Sequence, residues 1–256
     1  MNHSPQTPMH DKHNMLERKN KGVLLKLEVL CMMLGALIRI LYCLIYPVQP
    51  RDAYYYISLA EEIKQTGRIV EKINFYPLSI WLMCIPSRIW DYNTVKGGII
   101  VNLLFGLVCI VVAMEIARKA FKKNSIALFV GLLLATHNSL IHFSCVFLRE
   151  STFICFTIIS LYFLANYYIK GNLTSILGIS IFGVLALMCR LEGIEICVLF
   201  IITELFILFT KKNTIKKTII HSIVFMLLCF ITAVVLSEIM DFSMLQINYK
   251  TKIKIP

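Results

Sequence analysis

Charge is scarce in this sequence. Asp, Glu, Lys and Arg make up only 16% of its 256 residues, whereas an average soluble domain carries about 25%. A disordered chain is excluded as well, because 58% of the residues are hydrophobic and the mean hydropathy is +0.74. This composition is typical of a polytopic membrane protein, and at about 20 residues per transmembrane helix the length allows roughly seven spans.

The sequence also lacks any cysteine arrangement that is typical of a metal site or a disulfide framework. Its nine cysteines include no C-x-x-C pair, and nearly all of them lie inside apolar runs. We interpret them as small buried hydrophobic residues. We therefore expect no cofactor, and the sequence leaves open whether a divalent metal takes part in function.

Seven apolar runs have the length of membrane spans, which predicts an all-α helical bundle. They cover residues 23–46, 98–117, 126–148, 151–169, 173–189, 194–210 and 218–238. A further stretch, 75–90, is apolar but contains Pro77 and Pro86, and its length of about 15 residues falls short of a full span. We predict that this stretch lies in the interface or re-enters the membrane without crossing it.

The basic residues indicate how the bundle is oriented. The net charge is +11, and 14 of the 26 basic residues lie in the N-terminal tail with Lys26, the 118–123 loop, Lys170 and the 211–217 loop. If 75–90 does not cross, all these segments share one side, which the positive-inside rule assigns to the cytoplasm. The charge therefore reports topology, and we expect a cytoplasmic N-terminus and no nucleic-acid partner.

Ionisable residues collect at the outer ends of the predicted spans. Most outer acids simply complement the basic loops, but Arg149–Glu150 and Arg190–Glu192 stand in short turns between apolar runs. Ionisable groups at such depth usually face a bundle interior or a watery cavity and mark function. The alternative is a structural Arg–Glu pair. Arg39, in the outer half of the first span, either joins this cluster or snorkels to the surface.

Two histidines interrupt the third predicted span near its outer end. His137 and His142 enclose Asn138 and Ser139, so four polar residues fall within six positions. Polar side chains in such places often form hydrogen bonds between helices. We expect that role here rather than catalysis.

The first outer loop, residues 47–97, opens with a polar and tyrosine-rich segment. Arg51 and Asp52 are followed by three tyrosines, and apolar residues then recur at helical spacing as far as Gly67. The pattern predicts an amphipathic helix on the outer membrane surface. Asp52 stands at its start, either as a helix N-cap or as an oriented carboxylate available for chemistry, and the two roles are compatible.

The order of these features resembles membrane glycosyltransferases of the GT-C superfamily, closest to the protein O-mannosyltransferase-like and aminoarabinose-transferase-like enzymes (glycosyltransferase family 39 type). The resemblance covers about residues 24–240 and includes Tyr76-Pro77-Leu78 and the Arg190–Gly193 element. It implies a module of seven spans with two juxtamembrane helices in the first outer loop. It further implies a polyprenyl-phosphate sugar donor and a protein, lipid or glycan acceptor.

The resemblance also implies roles for individual residues. Asp52 matches the aspartate that is the family's catalytic base, and Glu150 matches the acid that opens the fourth span. The candidate substrate-binding residues are Arg51, Tyr55, Tyr76, Arg149, Glu150, Arg190 and Glu192. These residue types suit the chemistry, because a carboxylate can remove the acceptor proton and guanidinium groups can stabilise charge on a departing phosphate.

The sequence departs from the family pattern at several positions. Ala53 stands where a second acid commonly follows the aspartate, and Leu191 replaces a proline. The chain stops at Pro256, whereas relatives carry further spans after the seventh. We expect a minimal module, a piece whose remainder is encoded separately, or a truncated reading frame.

Taken together, the sequence predicts three regions. Residues 1–22 form a disordered basic cytoplasmic tail, 23–240 a GT-C-like transmembrane module, and 241–256 a short outer segment. We expect a glycosyltransferase of a bacterial inner (cell) membrane that acts in cell-envelope glycosylation, surrounded by membrane lipid. The alternatives are a small lipid or glycan flippase or transporter, and a catalytically inactive module.

Overall fold

The computed structural model describes residues 8–46, 48–66, 78–89, 93–210 and 215–252. Within these ranges, side chains are described for residues 26–236 and for Glu238. All regular structure in these ranges is helical. The elements are α1 (Pro8–Ile45), α2 (Arg51–Thr66), α3 (Leu78–Ile89), α4 (Thr94–Phe121), α5 (Asn124–Thr136), α6 (Asn138–Cys145), α7 (Glu150–Lys170), α8 (Leu173–Leu187), a 3-10 turn (Leu191–Ile194), α9 (Glu195–Thr210) and α10 (Ile215–Lys252).

Five spans in the described ranges are long and apolar enough to cross a membrane. They are Lys26–Ile45, Thr94–Phe121, Glu150–Lys170, Leu191–Thr210 and Ile215–Leu236, and the pair α5 and α6 forms a sixth if it is one broken span. Helix α8 has 15 residues, or about 22 Å at 1.5 Å per residue, which is shorter than a hydrocarbon core of about 30 Å. The all-α membrane bundle is thus confirmed, but the count of seven spans is not.

The segment 47–97 contains the two short helices that the sequence predicted there. Helix α2 turns Ala53, Leu59, Ala60 and Ile63 inward, and they pack on Ile80, Met83 and Cys84 of α3 and on Phe147. Helix α3 has 12 residues, too few to cross, in agreement with the prediction for 75–90. Gly67 and Tyr76 lie outside the described residues.

The third predicted span is broken at His137. Helices α5 and α6 meet there at an angle of 55°, so the carbonyls at the end of α5 lose their helical partners. The Nδ1 atom of His142 lies 3.1 Å from the hydroxyl of Tyr42. This contact joins α6 to α1 and confirms the predicted hydrogen bond between helices.

Arg39 supplies the hydrogen bonds that this break requires. Its side chain is fully buried (0% exposed), and its guanidinium donates to the carbonyls of Ala135 at 3.2 Å and Leu134 at 3.3 Å. It also donates to Gly35 O at 3.1 Å and to Ser144 Oγ at 3.3 Å. Arg39 therefore neither joins the outer charge cluster nor snorkels, because the carbonyls freed at the end of α5 hold its charge inside the bundle.

A second buried polar contact joins three helices at the opposite end of the bundle from Arg190. The Tyr167 hydroxyl of α7 donates to Glu204 of α9 and contacts Nδ1 of His221 on α10. All three side chains are buried. The contact ties α10 to the rest of the bundle at a position where α10 is otherwise largely exposed.

The cysteines pack as the sequence analysis expected. All nine are free thiols, six are buried and three are half-buried. Several belong to the apolar clusters between helices, among them Cys31, Cys84 and Cys189. They act as small core residues in this fold.

We predict that replacing Arg39 by Leu lowers the free energy of unfolding by about 2–5 kcal/mol, because the carbonyls of Leu134 and Ala135 would be left unsatisfied. Reversible unfolding in mixed detergent micelles measures this loss. Lys26→Ala, which removes an exposed cation from the same helix, is the matched control and should change stability by less than about 0.5 kcal/mol. Equal stability of Arg39→Leu and the wild type would contradict the assigned role.

Candidate functional site

The centre of the candidate site is the guanidinium of Arg190, which follows the end of α8. Its Nη1 donates to Glu150 Oε1 at 2.8 Å. Its Nη2 and Nε donate to the two carboxylate oxygens of Glu192 at 2.6 and 3.2 Å. Hydrogen bonding to Glu192 and the nearby charge of Glu150 raise the pKa of Arg190. The site therefore holds a permanent positive charge between two carboxylates.

The two carboxylates differ in exposure, and this difference matters for ligand binding. The side chain of Glu150 is 20% exposed and that of Glu192 is 48% exposed. Glu150 Oε2 is buried and has no hydrogen-bond partner among the described residues. An anionic ligand can thus replace the exposed Glu192, whereas the less exposed Glu150 stays in contact with Arg190.

Asn102 of α4 holds the turn that positions Arg149 and Glu150. Its fully buried side-chain amide donates to the carbonyls of Val146 at 2.7 Å and Leu148 at 2.9 Å. The hydroxyl of Ser151 donates in return to Asn102 O at 2.9 Å. Because these bonds satisfy the backbone between α6 and α7, the turn stays tight and places both ionisable side chains at the bundle end.

Phe147 packs the turn between α6 and α7 against helices α2 and α3. Its ring is fully buried in the cluster formed by α2 and α3, and its backbone N–H donates to Gln49 Oε1 at 2.7 Å. The ring lies where a Cβ at Gly98 would overlap it, so only glycine fits at that position of α4. This packing brings α2 beside Arg149.

Tyr56 is the site residue that the sequence analysis missed. The guanidinium carbon of Arg149 lies 5.5 Å from the centre of its ring, within the range of a cation–π contact. Burial raises the pKa of the Tyr56 hydroxyl, and the charges of Arg149, Glu150, Asp52 and Arg190 all act on it. Tyr56 therefore stays protonated at neutral pH, and four charged side chains lie close enough to affect its hydroxyl.

A helical-spacing argument could have identified Tyr56. It stands four residues after Asp52 on α2, so the two side chains share one face of the helix. The sequence analysis used Tyr56 only as part of the apolar periodicity. Because its tip is polar, a half-buried tyrosine at that spacing is also a candidate for the site.

The residues at the start of α2 lie on the exposed side of the site. The helix begins at Arg51, so Asp52 lies in the first turn and is not the N-cap residue. Acidic side chains in the first turn of a helix interact favourably with its N-terminus. Arg51, Asp52 and Tyr55 are all exposed. The structure thus joins Arg149, Glu150, Arg190 and Glu192 into one cluster, with Asp52 linked to it through Tyr56. Tyr76 lies outside the described residues.

The site does not contain an arrangement typical of a bound metal. No group of three or more His, Cys, Asp or Glu side chains is placed to hold an ion in the ranges that the structure describes. Arg149 and Arg190 supply positive charge within the cluster, and Arg51 adds a further cation at its exposed side. The guanidinium groups of this arrangement can bind an anionic group, and its carboxylates can accept hydrogen bonds from a hydroxyl.

One comparison with known proteins bears on this site. Residues 76–237 match the family described as dolichyl-phosphate-mannose-protein mannosyltransferase. The matched segment is more than half of the chain and includes Arg149, Glu150, Arg190 and Glu192, but it begins after Asp52 and Tyr56. No curated protein is significantly similar to the chain.

We predict that Arg190 couples more strongly to Glu150 than to Glu192. Double-mutant cycles with Arg190→Ala, Glu150→Gln and Glu192→Gln, measured by unfolding in mixed micelles, should give about 1–2 kcal/mol for the half-buried pair. The coupling energy of the more exposed pair, Arg190 and Glu192, should be less than about 1 kcal/mol. Equal coupling energies would mean that the difference in exposure has no energetic consequence.

Proposed function

Because the chain belongs to the dolichyl-phosphate-mannose-protein mannosyltransferase family, we propose that it transfers a sugar from a polyprenyl-phosphate carrier to an acceptor hydroxyl at the Arg190 end of the bundle. The chain is an integral membrane glycosyltransferase of the GT-C type. The observation that carries the proposal is the cluster of Arg149, Glu150 and Arg190 around Tyr56, beside the helix that begins with Arg51 and Asp52. The acceptor is a protein, a lipid or a glycan.

In this proposal Asp52 is the general base. Transfer requires that the acceptor hydroxyl lose its proton as its oxygen bonds to the anomeric carbon. Asp52 is exposed and stands in the first turn of α2, so its carboxylate oxygens are accessible to a substrate hydroxyl. An acceptor hydroxyl can reach it from the open side of the site, where Tyr55 and Arg51 are also exposed.

Arg190 and Arg149 bind the phosphate of the donor. As the bond between the phosphate oxygen and the anomeric carbon breaks, negative charge grows on the phosphate, and a guanidinium stabilises that charge through two parallel hydrogen bonds. Arg190 already makes such a pair of bonds to the exposed carboxylate of Glu192. We propose that the phosphate takes the place of Glu192 while Glu150 keeps Arg190 in position.

The proposed orientation follows from the charge of the loops. The basic segments Arg118–Lys123, Lys170 and Lys216–Lys217 lie at the end of the bundle opposite Arg190, and the positive-inside rule puts that end in the cytoplasm. The site then faces the outer side, and the N-terminus is cytoplasmic. We propose a bacterial cell membrane as the location. In this arrangement 1–22 is the cytoplasmic tail, 23–240 the catalytic module, and 241–256 the outer segment.

We predict that Asp52→Asn lowers transfer of radiolabelled sugar from a polyprenyl-phosphate donor in proteoliposomes at least about 100-fold, because a general base contributes about 10²–10⁴-fold. Insertion and unfolding should be unchanged, since the side chain is exposed. Glu61→Gln on the same helix is the matched control and should retain activity. Full activity of Asp52→Asn would overturn the base assignment, and translocation of the donor without transfer would favour a flippase.

Transfer is expected to persist after the protein is treated with EDTA, because the two arginines supply the positive charge that a metal would otherwise provide. The same proteoliposome assay measures this. Activity that disappears with EDTA and returns with Mg²⁺ or Mn²⁺ would contradict a reaction without a metal cofactor.

A further inference from the structure

We propose that this protein binds a phospholipid with an anionic headgroup in a groove beside α7, at the end of the bundle opposite Arg190. The site is separate from the one that transfers the sugar. Helix α7 begins at Glu150 and ends at Lys170, so its 21 residues separate the two ends by about 30 Å. The proposal does not depend on the transfer reaction.

The apolar part of this site is a groove of about 480 Å³ between α4, α7 and α9. That volume falls within the range of ligand pockets, about 300–1,000 Å³. Its residues include Ile116, Leu161, Ala165, Tyr168, Ile202 and Phe206. Ile202 and Phe206 are 55% and 52% exposed, so the groove is open to the surrounding lipid. An acyl chain has the length and chemistry to lie in it.

A polar cavity of about 130 Å³ adjoins the groove at the end of α7. It is lined by Lys170 and Gly171 at the end of that helix and by Lys217 in the first turn of α10, together with Tyr167 and Ile207. Tyr168 lines both the cavity and the groove. A ligand with an apolar chain and a charged head can therefore occupy the two spaces together.

The charges around the cavity favour an anionic head. Neither Lys170 nor Lys217 forms an ion pair with a carboxylate in the part of the chain that the structure describes. The carboxylate of the nearby Glu204 is instead engaged by Tyr167 and His221. Basic pockets between membrane helices on the side of the basic loops are typical sites for anionic lipid headgroups.

The combination of groove and cavity favours a lipid over a free anion. Two exposed lysines bind a small phosphate weakly, because water screens their charges. An acyl chain in the groove adds apolar burial and holds the phosphate near both lysines. The occupant we propose is a glycerophospholipid with net negative charge.

The test compares two lipids with the same acyl chains, phosphatidylglycerol and phosphatidylcholine, by native mass spectrometry of the full chain in a neutral detergent. The wild type should retain phosphatidylglycerol in preference to phosphatidylcholine. Lys170→Ala combined with Lys217→Ala should lower this preference about 25-fold, since each cation near a lipid surface contributes about fivefold. Lys216→Ala is the matched control, because Lys216 is exposed beside Lys217 but does not line the cavity.

A second variant tests the groove. Ala165→Trp should fill it and lower the occupancy of both lipids, and water-soluble glycerol phosphate should not displace phosphatidylglycerol. The proposal is overturned if the wild type shows no preference, if Lys216→Ala loses the preference as fully as the double variant, or if Ala165→Trp binds lipid normally. Displacement by glycerol phosphate would show a site for soluble phosphate and would also overturn it.

Discussion

Inside a membrane, every backbone carbonyl that leaves a helix needs a partner from the protein, because the hydrocarbon offers none. This chain breaks its helical backbone between α5 and α6 and again between α6 and α7. Arg39 donates hydrogen bonds to the carbonyls freed at the first break, and Asn102 donates to those freed at the second. The geometry of the candidate site depends on these two side chains, since they determine where α7 begins and hence where Arg149 and Glu150 lie.

The two ends of the bundle differ in the exposure of their charged side chains. At one end Arg190, Glu150 and Tyr56 form a half-buried charged cluster that is open to solvent. At the other end Tyr167, Glu204 and His221 are buried, and the exposed Lys170 and Lys217 line the cavity that Tyr167 also borders. This asymmetry suits the proposed transfer from a lipid-linked phosphate, because positive charge stabilises a leaving phosphate only where the substrate can reach it.

Glu150 and Glu192 stabilise the positive charge of Arg190 at the end of an otherwise apolar bundle. A buried charge without a partner is costly, so in the proposed reaction the half-buried Arg190 needs carboxylate partners until the donor phosphate binds. Glu150 is held by the start of α7, whereas Glu192 belongs to an exposed 3-10 turn. In the proposed reaction Glu150 stays paired with Arg190, and the donor phosphate replaces Glu192.

The sequence by itself determined the features that depend on local pattern: the membrane class from composition, the amphipathic α2 from helical spacing, the hydrogen bonding between helices near His142 from clustered polar residues, and the ionisable span ends from their neighbours. Only the tertiary structure decided that Arg39 is structural, that Tyr56 belongs to the site and that α8 is too short to count as a full span. Arg39 meets its partners about 100 residues away. No local pattern carries such information, because a side chain's role in a bundle is set by the helices packed against it.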